Sequence, residues 1–327
     1  MAELELSCGL PPGPDFADLA ALAEELGYAR VWIYDSAPLW EDPFIHLALA
    51  AERTRRIGLA TAVLVPGERS VMTMASAIAA IARLSQGRFR ACFGTGLTAR
   101  LVAGQRPMTL AALADYVTAL RQLLAGETVI LDGAAARMMH FPELTAPRPL
   151  DVDLWLSAFG PKGHALAADI ADGVIGPPHP TLPSATITWG TVLEPGEDPN
   201  SARAKEALGP WRVLDWHSAY AHGGAAVDAL PGGREWRASL ESLAPEGERH
   251  LLTFEGHVTH LTARDRGLLP HCDMRVITRA LVGEPESIVS GISGLAAAGY
   301  QEVIFAPSGP DVSRELHAFA AATRQPA

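Results

Sequence analysis

Residues 151–176 read DVDLWLSAFGPKGHALAADIADGVIG. The segment opens on an apolar run at 154–156 and turns at Gly160 and Pro161. An alanine-rich stretch of helical composition follows, and a second short apolar run at 174–175 ends before Gly176 and Pro177. Strand, turn, helix and strand in so short a stretch is the pattern of two parallel strands joined by a crossover helix. Neither apolar run alternates with polar residues, which suits strands covered on both faces.

The same unit recurs on both sides. Upstream are LELSCGL (4–10) with DFADLAALAEELG (15–27), and ARVWIYDS (29–36) with PFIHLALAAERT (43–54). IGLATAVLVP (57–66) is followed by VMTMASAIAAIARLS (71–85). RFRACFGTG (88–96) leads through a polar stretch to LAALADYVTALRQLLAG (110–126). Downstream are SATITWGTVLEP (184–195) and QEVIFAPSG (301–309). These are eight strands alternating with helices. An α/β chain of this kind closes into a (β/α)8 TIM barrel in preference to a doubly wound sheet. TVILDGAAARMMHFPEL (128–144) reads as a hairpin excursion, and residues 195–282 hold helices and the Gly/Pro-broken run GGAAVDALPGGREW. With no composition shift, the expectation is one barrel domain over 1–327, with insertion-bearing regions at 97–150 and 195–282 walling a pocket.

Composition bounds the function. The chain has 327 residues, 48% hydrophobic, with formal net charge −11. An acidic chain argues against nucleic acid as a partner. No charge-free apolar run approaches the length of a membrane span, and MAELELSCGL lacks the basic head of a signal peptide. The reading is a soluble, cytoplasmic protein acting on a small molecule. Cys8, Cys92 and Cys272 are too scattered for a disulfide frame or a CxxC metal site.

In a barrel the loops after the strands carry the chemistry, and here they are rich in glycine and proline. The stretch GLATAVLVPGERS (58–70) is an apolar strand running into such a loop, with no acid, base or nucleophile before Glu68. GTGLTA (94–99) satisfies a loose dinucleotide pattern, but it lies in the fourth unit and not the first. AFGPKGHALA (158–167) places the backbone N–H groups of residues 160–163 at a helix start, able to hold an anion, with Lys162 adding charge. An ordinary turn with Pro161 at the first helical position fits the same residues. Asp35 ends the second strand, as a functional acid or as a turn residue, and Trp40 walls a pocket or covers the core. FEGHVTHL places Glu255 and His257 on one face of a strand, or His257 and His260 on one face of a helix. This is a substrate-side candidate and not a metal centre, which needs at least three converging ligands. No G-x-S-x-G elbow or phosphate-binding Walker loop occurs.

Taken in order, ALAEELGYARVWIYDS, EDPFIHLALAAERTRRIGLATAVL, MASAIAAIARLSQGRFRACFGTG, LLAGETVILDG, LWLSAFGPKGHALAADIADGVI and LVGEPESIVSGISGLAAAGYQEVIF resemble the luciferase-like flavin/deazaflavin oxidoreductase family. The resemblance covers most of the chain except about 195–275. It implies a (β/α)8 barrel binding coenzyme F420 or FMN at its C-terminal face. It implies a bulge with a non-prolyl cis peptide at Ala62-Val63, an apolar floor under a flat ring. It places Asp35, Gly94 and Gly96 beside that ring, and Ala158, Phe159, Gly160, Gly176 and Pro177 around the cofactor phosphate. Trp40 would line the pocket. Ser36 and Leu97 stand where the sugar-phosphate dehydrogenases of the family carry a histidine and a glutamate, which argues against sugar-phosphate oxidation. The expectation is an F420-dependent hydride-transferring oxidoreductase of the methylene-tetrahydromethanopterin-reductase-like branch, a homodimer, with Asp35 and His257 as catalytic candidates and Trp40 and Glu255 on the substrate side. The alternatives are an FMN-dependent monooxygenase and a non-catalytic F420-binding protein.

Overall fold

A computed structural model describes residues 4–275 and 279–324. Residues 276–278, within the second of the expected insertion regions, lie outside the described residues. In chain order the strands are β1 (Glu5–Leu10), β2 (Arg30–Ile33), β3 (Gly58–Thr61), β4 (Phe89–Phe93), β5 (Val129–Leu131) and β6 (Ala134–Ala136). They continue with β7 (Asp153–Ser157), β8 (Gly173–Ile175), β9 (Ser184–Val192), β10 (Ala280–Gly283) and β11 (Glu302–Phe305). Neighbouring strands run β9-β11-β1-β2-β3-β4-β7-β8, and β8 pairs with β9 again, closing an eight-stranded parallel barrel. Its members are the eight strands expected from the sequence. β5 and β6 form the expected antiparallel hairpin.

The barrel strands are mostly buried, and helices return the chain to the start of the next strand except between β8 and β9, which residues 176–183 join without one. Three of those helices begin at side-chain caps. Asp42 accepts from the Phe44 N–H ahead of the helix Pro43–Arg53, Ser70 from Thr73 ahead of Val71–Leu84, and Thr109 from Ala112 ahead of Leu110–Ala125. Inside the barrel, Trp32, Ala60, Cys92, Trp155, Ile175, Ala185 and Ile304 form one buried cluster from seven strands. Trp32 and Trp155 meet at 5.9 Å between ring centroids, and small residues fill the gaps around them. Ala62, Val63 and Ile187 are half-buried and packed against this layer.

The chain divides into two compact units. One holds residues up to 97, 107–187 and 298–304; the other holds 98–106, 188–297 and residues from 305 on. The first contains the barrel, with β9 and β11 running on into the second. Uniform composition hid this division from sequence reading. In the second unit β10 lies parallel to the later part of β9, with Ala280 opposite Trp189 and Gly283 opposite Val192. The helices Ala202–Arg212, Leu214–Gly223 and Gly233–Leu243 belong to the second unit. Its core gathers Leu208, Trp216, Val227, Trp236, Leu240 and Met274. There the buried Asp265 accepts hydrogen bonds from Trp236 Nε1 (2.8 Å) and Thr262 Oγ1 (2.8 Å), beside His217 Nε2 at 3.2 Å. No helix among the described residues is long and apolar enough to cross a membrane.

Candidate active site

The residues singled out at the strand ends of the barrel unit gather at its C-terminal mouth. β3 stops at Thr61, and the chain bulges through 62–65 before resuming as a loop. Ala62 N–H donates to the Ile33 carbonyl (2.7 Å), Leu64 N–H to the Cys92 carbonyl (2.7 Å), and Gly94 N–H to the Leu64 carbonyl (3.1 Å). The bulge is thereby tied to β2 on one side and β4 on the other. The Ala62-Val63 peptide bond is cis, as the resemblance implied. Gly94 sits against Val63: a Cβ at this position would lie 2.7 Å from Val63 Cγ2. Glycine is therefore required here for close approach. Gly96, with φ +76°, occupies the left-handed region and turns the chain away from β4.

Asp35 ends β2 as a buried carboxylate gripped by an arginine from the loop after the bulge. Arg69 Nη1 donates to Asp35 Oδ2 (2.8 Å) and Arg69 Nη2 to Oδ1 (3.3 Å), while Val65 N–H reaches Oδ2 at 3.4 Å. Arg69 also binds Asp42 (2.8 Å), and its backbone carbonyl accepts from Tyr116 Oη (3.0 Å). Burial raises the Asp35 carboxyl above the usual carboxylate range, and Arg69 offsets only part of that. Burial would lower Arg69, but the hydrogen bonds and charge of Asp35 and Asp42 outweigh it and raise it. The two directions are compatible because the carboxylate loses more water than the guanidinium. Both Asp35 oxygens are committed, so this acid fixes the loop more readily than it shuttles a proton. No spacing rule pointed to Arg69, which lies 34 residues from Asp35.

The third element is the turn between β7 and β8. Ala158 N–H donates to the Ile175 carbonyl (3.0 Å) and Gly176 N–H to the Ala185 carbonyl (3.0 Å). Gly176 lies so close to the Ala158 carbonyl oxygen that a Cβ would collide with it. The helix Pro161–Ile170 starts from Gly160 with Pro161 at its first position and no side-chain cap. The space beside this helix start is open, since a Cβ on Gly160 would touch nothing within 4 Å. Uncapped amides at a helix start, with the helix dipole behind them, suit an anion. Lys162 and Phe159 are exposed beside the turn, and Pro177 is half-buried.

Trp40 is half-buried and packs on Tyr34, centroids 5.5 Å apart. Glu255 and His257 belong to the second unit. Glu255 is exposed, 3.8 Å from Arg264. His257 is buried and edge-on to Phe254 (5.3 Å). Burial, reinforced by the charge of His217, pushes the His257 imidazole down to about 3, so it stays neutral in the folded state. Tyr34 and Ser36 carry buried hydroxyls with no hydrogen-bond partner among the described residues, and sequence reading gave Tyr34 no role.

A closed parallel barrel with a bulged third strand and a glycine-lined mouth places the chain among the (β/α)8 barrels whose sites form at the C-terminal face. The model of the luciferase-like monooxygenase family matches residues 6–188, more than half of the chain, and the protein belongs to that family. A 5,10-methylenetetrahydromethanopterin reductase of Methanolobus tindarius is 33% identical over 164 residues, 49% of this chain and 48% of that protein. An F420-dependent glucose-6-phosphate dehydrogenase of Nakamurella multipartita is 32% identical over 178 residues, 50% of this chain and 52% of that protein. The chain thus spans about half the length of the curated relatives it matches. The solved coenzyme F420-dependent tetrahydromethanopterin reductase of Methanopyrus kandleri superposes with TM-score 0.66 over 98% of both chains, at 18% identity, and shows the shared fold.

Proposed function

We propose that the protein is an F420-dependent oxidoreductase that passes hydride between the deazaflavin and a small organic substrate, in the methylene-tetrahydromethanopterin-reductase-like branch. One observation carries the reading. The barrel mouth offers an apolar ledge, Ala62 and Val63, with Gly94 against it, and the Asp35 carboxylate is sealed in an ion pair. Such a mouth fits a planar group that brings its own reactivity. Bound there, F420 would exchange hydride with a substrate.

The protein's part is to bind, orient and exclude water. Ala62, Val63, Gly94 and Gly96 would seat the ring. Ala158, Phe159, Gly160, Lys162, Gly176 and Pro177 would hold the phosphate through the uncapped helix start. Asp35 acts as a positioning residue, because its pairing with Arg69 and its bond to Val65 N–H hold the loop behind the ledge. Trp40 and its neighbour Tyr34 would face the substrate side. The name of one curated relative, an F420-dependent glucose-6-phosphate dehydrogenase, supports F420. The family description, a luciferase-like monooxygenase, keeps FMN as the second reading.

Two finer points belong to the same proposal. A homodimer is supported by Ile45 and Leu49, one turn apart on the helix Pro43–Arg53 and 63% and 54% exposed. A cytoplasmic location is supported by three free, buried cysteines, which suit a reducing compartment. Parallel calorimetric titrations with F420 and FMN test the cofactor. Saturable F420 binding with FMN silent is the expected result. FMN binding alone moves the protein to the second reading, and binding of neither removes both.

A further inference from the structure

The opposite end of the barrel carries a feature that hydride transfer does not use. The N-terminal ends of β2, β3, β4 and β7 surround a cleft of about 330 Å³ lined by Arg30, Arg56, Arg88, Arg90, Asp151 and Asp153, among others. Four guanidinium groups face two carboxylates there, in a chain whose formal net charge is −11. Two of the four are already committed. Arg88 donates to the carbonyls of Ile57 (2.6 Å) and Ser85 (2.8 Å) and to Thr54 Oγ1 (3.1 Å). Arg90 donates to Asp153 (3.2 Å) and to the buried Glu302 (3.0 Å), and lies 4.1 Å over the Trp155 ring. They supply positive field and few free donors.

Arg30 is different. Its side chain is 14% exposed, and its nearest carboxylate oxygen, on Glu302, is 3.7 Å from Nε, beyond hydrogen-bond reach. Glu302 is already bonded by Ser7 Oγ (2.5 Å), Trp32 Nε1 (2.7 Å) and Arg90. Nε is buried with no hydrogen-bond partner among the described residues, and the group keeps only the ion pair with Glu302 and a place 6.0 Å over the Trp32 ring. A guanidinium carries five N–H donors in a planar fork, and a buried one left unmet is costly. The register makes room for it. Gly58 stands directly opposite Arg30 across the β2–β3 pair, and a Cβ on Gly58 would collide with the guanidinium. Arg56, 75% exposed and 3.8 Å from Glu24, stands at the rim of the same cleft.

We propose that this cleft binds a small oxyanion, a phosphate or carboxylate group, held between the donors of Arg30 and Arg56. Oxyanions match a guanidinium fork two bonds at a time. The site lies at the end of the barrel away from the cofactor ledge and does not depend on which cofactor binds there.

The test is a titration of the full chain with inorganic phosphate and, separately, with succinate, followed by the arginine side-chain Nε–H signals in ¹H–¹⁵N spectra. The signals resolve this site from any phosphate held at Gly160. Arg30 and Arg56 should shift together and saturate at one dissociation constant, and the anion that achieves it identifies the source. Arg56→Gln, an exposed change, should weaken binding about three- to tenfold and leave the melting temperature unchanged. Arg30→Lys should weaken it further, with F420 titration unaffected in both variants. Arg30 signals that ignore both anions, or an Arg56→Gln protein that binds like the parent, would overturn the proposal.

Discussion

Replacing Arg69 by glutamine isolates the role of the ion pair behind the ledge. Asp35 and Arg69 are 1% and 12% exposed in their side chains and are joined by two hydrogen bonds. Removing one partner of a buried pair costs about 3–5 kcal/mol, because the other charge is left uncompensated. Asp35 keeps its contact to Val65 N–H, so the lower end, about 3 kcal/mol at neutral pH, is expected. The sign of the pH dependence follows from the carboxyl. Burial already holds Asp35 above the ordinary value, and losing Arg69 raises it further. An acid raised on folding contributes stability that is complete below its unfolded value, about 3.9, and that is lost as pH rises through the folded value. The penalty of Arg69→Gln is therefore small near about pH 4, roughly the 1 kcal/mol of one lost neutral hydrogen bond. It grows toward neutrality by about 1.4 kcal/mol for each unit of added shift. Urea unfolding followed by tryptophan fluorescence at several pH values measures the difference. A penalty that is flat with pH, or largest on the acid side, would show that Asp35 does not depend on Arg69 for its charge. The double variant Asp35→Asn with Arg69→Gln should recover most of the loss, since no buried charge is then stranded.

Two further outcomes are expected. Gly94→Ala places a Cβ 2.7 Å from Val63 Cγ2, so the ledge must shift; stability should fall by about 1–3 kcal/mol and F420 affinity about tenfold by calorimetry. Unchanged affinity would detach Val63 from the cofactor seat. His257 is held down to about 3 by burial, so its contribution to stability is present above the unfolded value near 6.5 and is lost as pH falls below it. His257→Phe should remove about 2 kcal/mol of the acid-side loss between about pH 7 and pH 5, and unfolding curves that decline in parallel with the parent would contradict that placement.

The barrel was legible because its strands are mostly apolar runs followed by loops that carry glycine or proline at the face where loops collect. β10 was not, because Ala280–Gly283 is half-buried and leads at once into the helix Pro285–Ala297, so its residues read as the approach to that helix. The helix Leu97–Val102 was read as a polar stretch because it is only six residues long and ends before Gly104 and Pro107. At the candidate site, backbone needs left marks in the sequence while side-chain meetings did not. Gly94, Gly160 and Gly176 stand where a Cβ would crowd a neighbour or where a helix start must stay open, and a glycine at a strand end is visible in one dimension. Asp35 was visible by the same logic of position.

Arg69 was not, because its pairing joins two loops 34 residues apart that meet only once β2 and β3 lie side by side. That pairing changes what the site can do. A carboxylate at the mouth with a free oxygen would draw water and compete for protons; one clamped by a guanidinium presents neither charge nor hydration to the ledge beside it. Arg30 at the other end of the barrel is the converse, a guanidinium whose buried Nε has no hydrogen-bond partner among the described residues and stands 3.7 Å from Glu302. The same register argument explains both. Side chains at the ends of adjacent parallel strands are forced together whatever their separation in sequence, so the satisfied pair acts as scaffold and the unsatisfied one is left to meet a ligand.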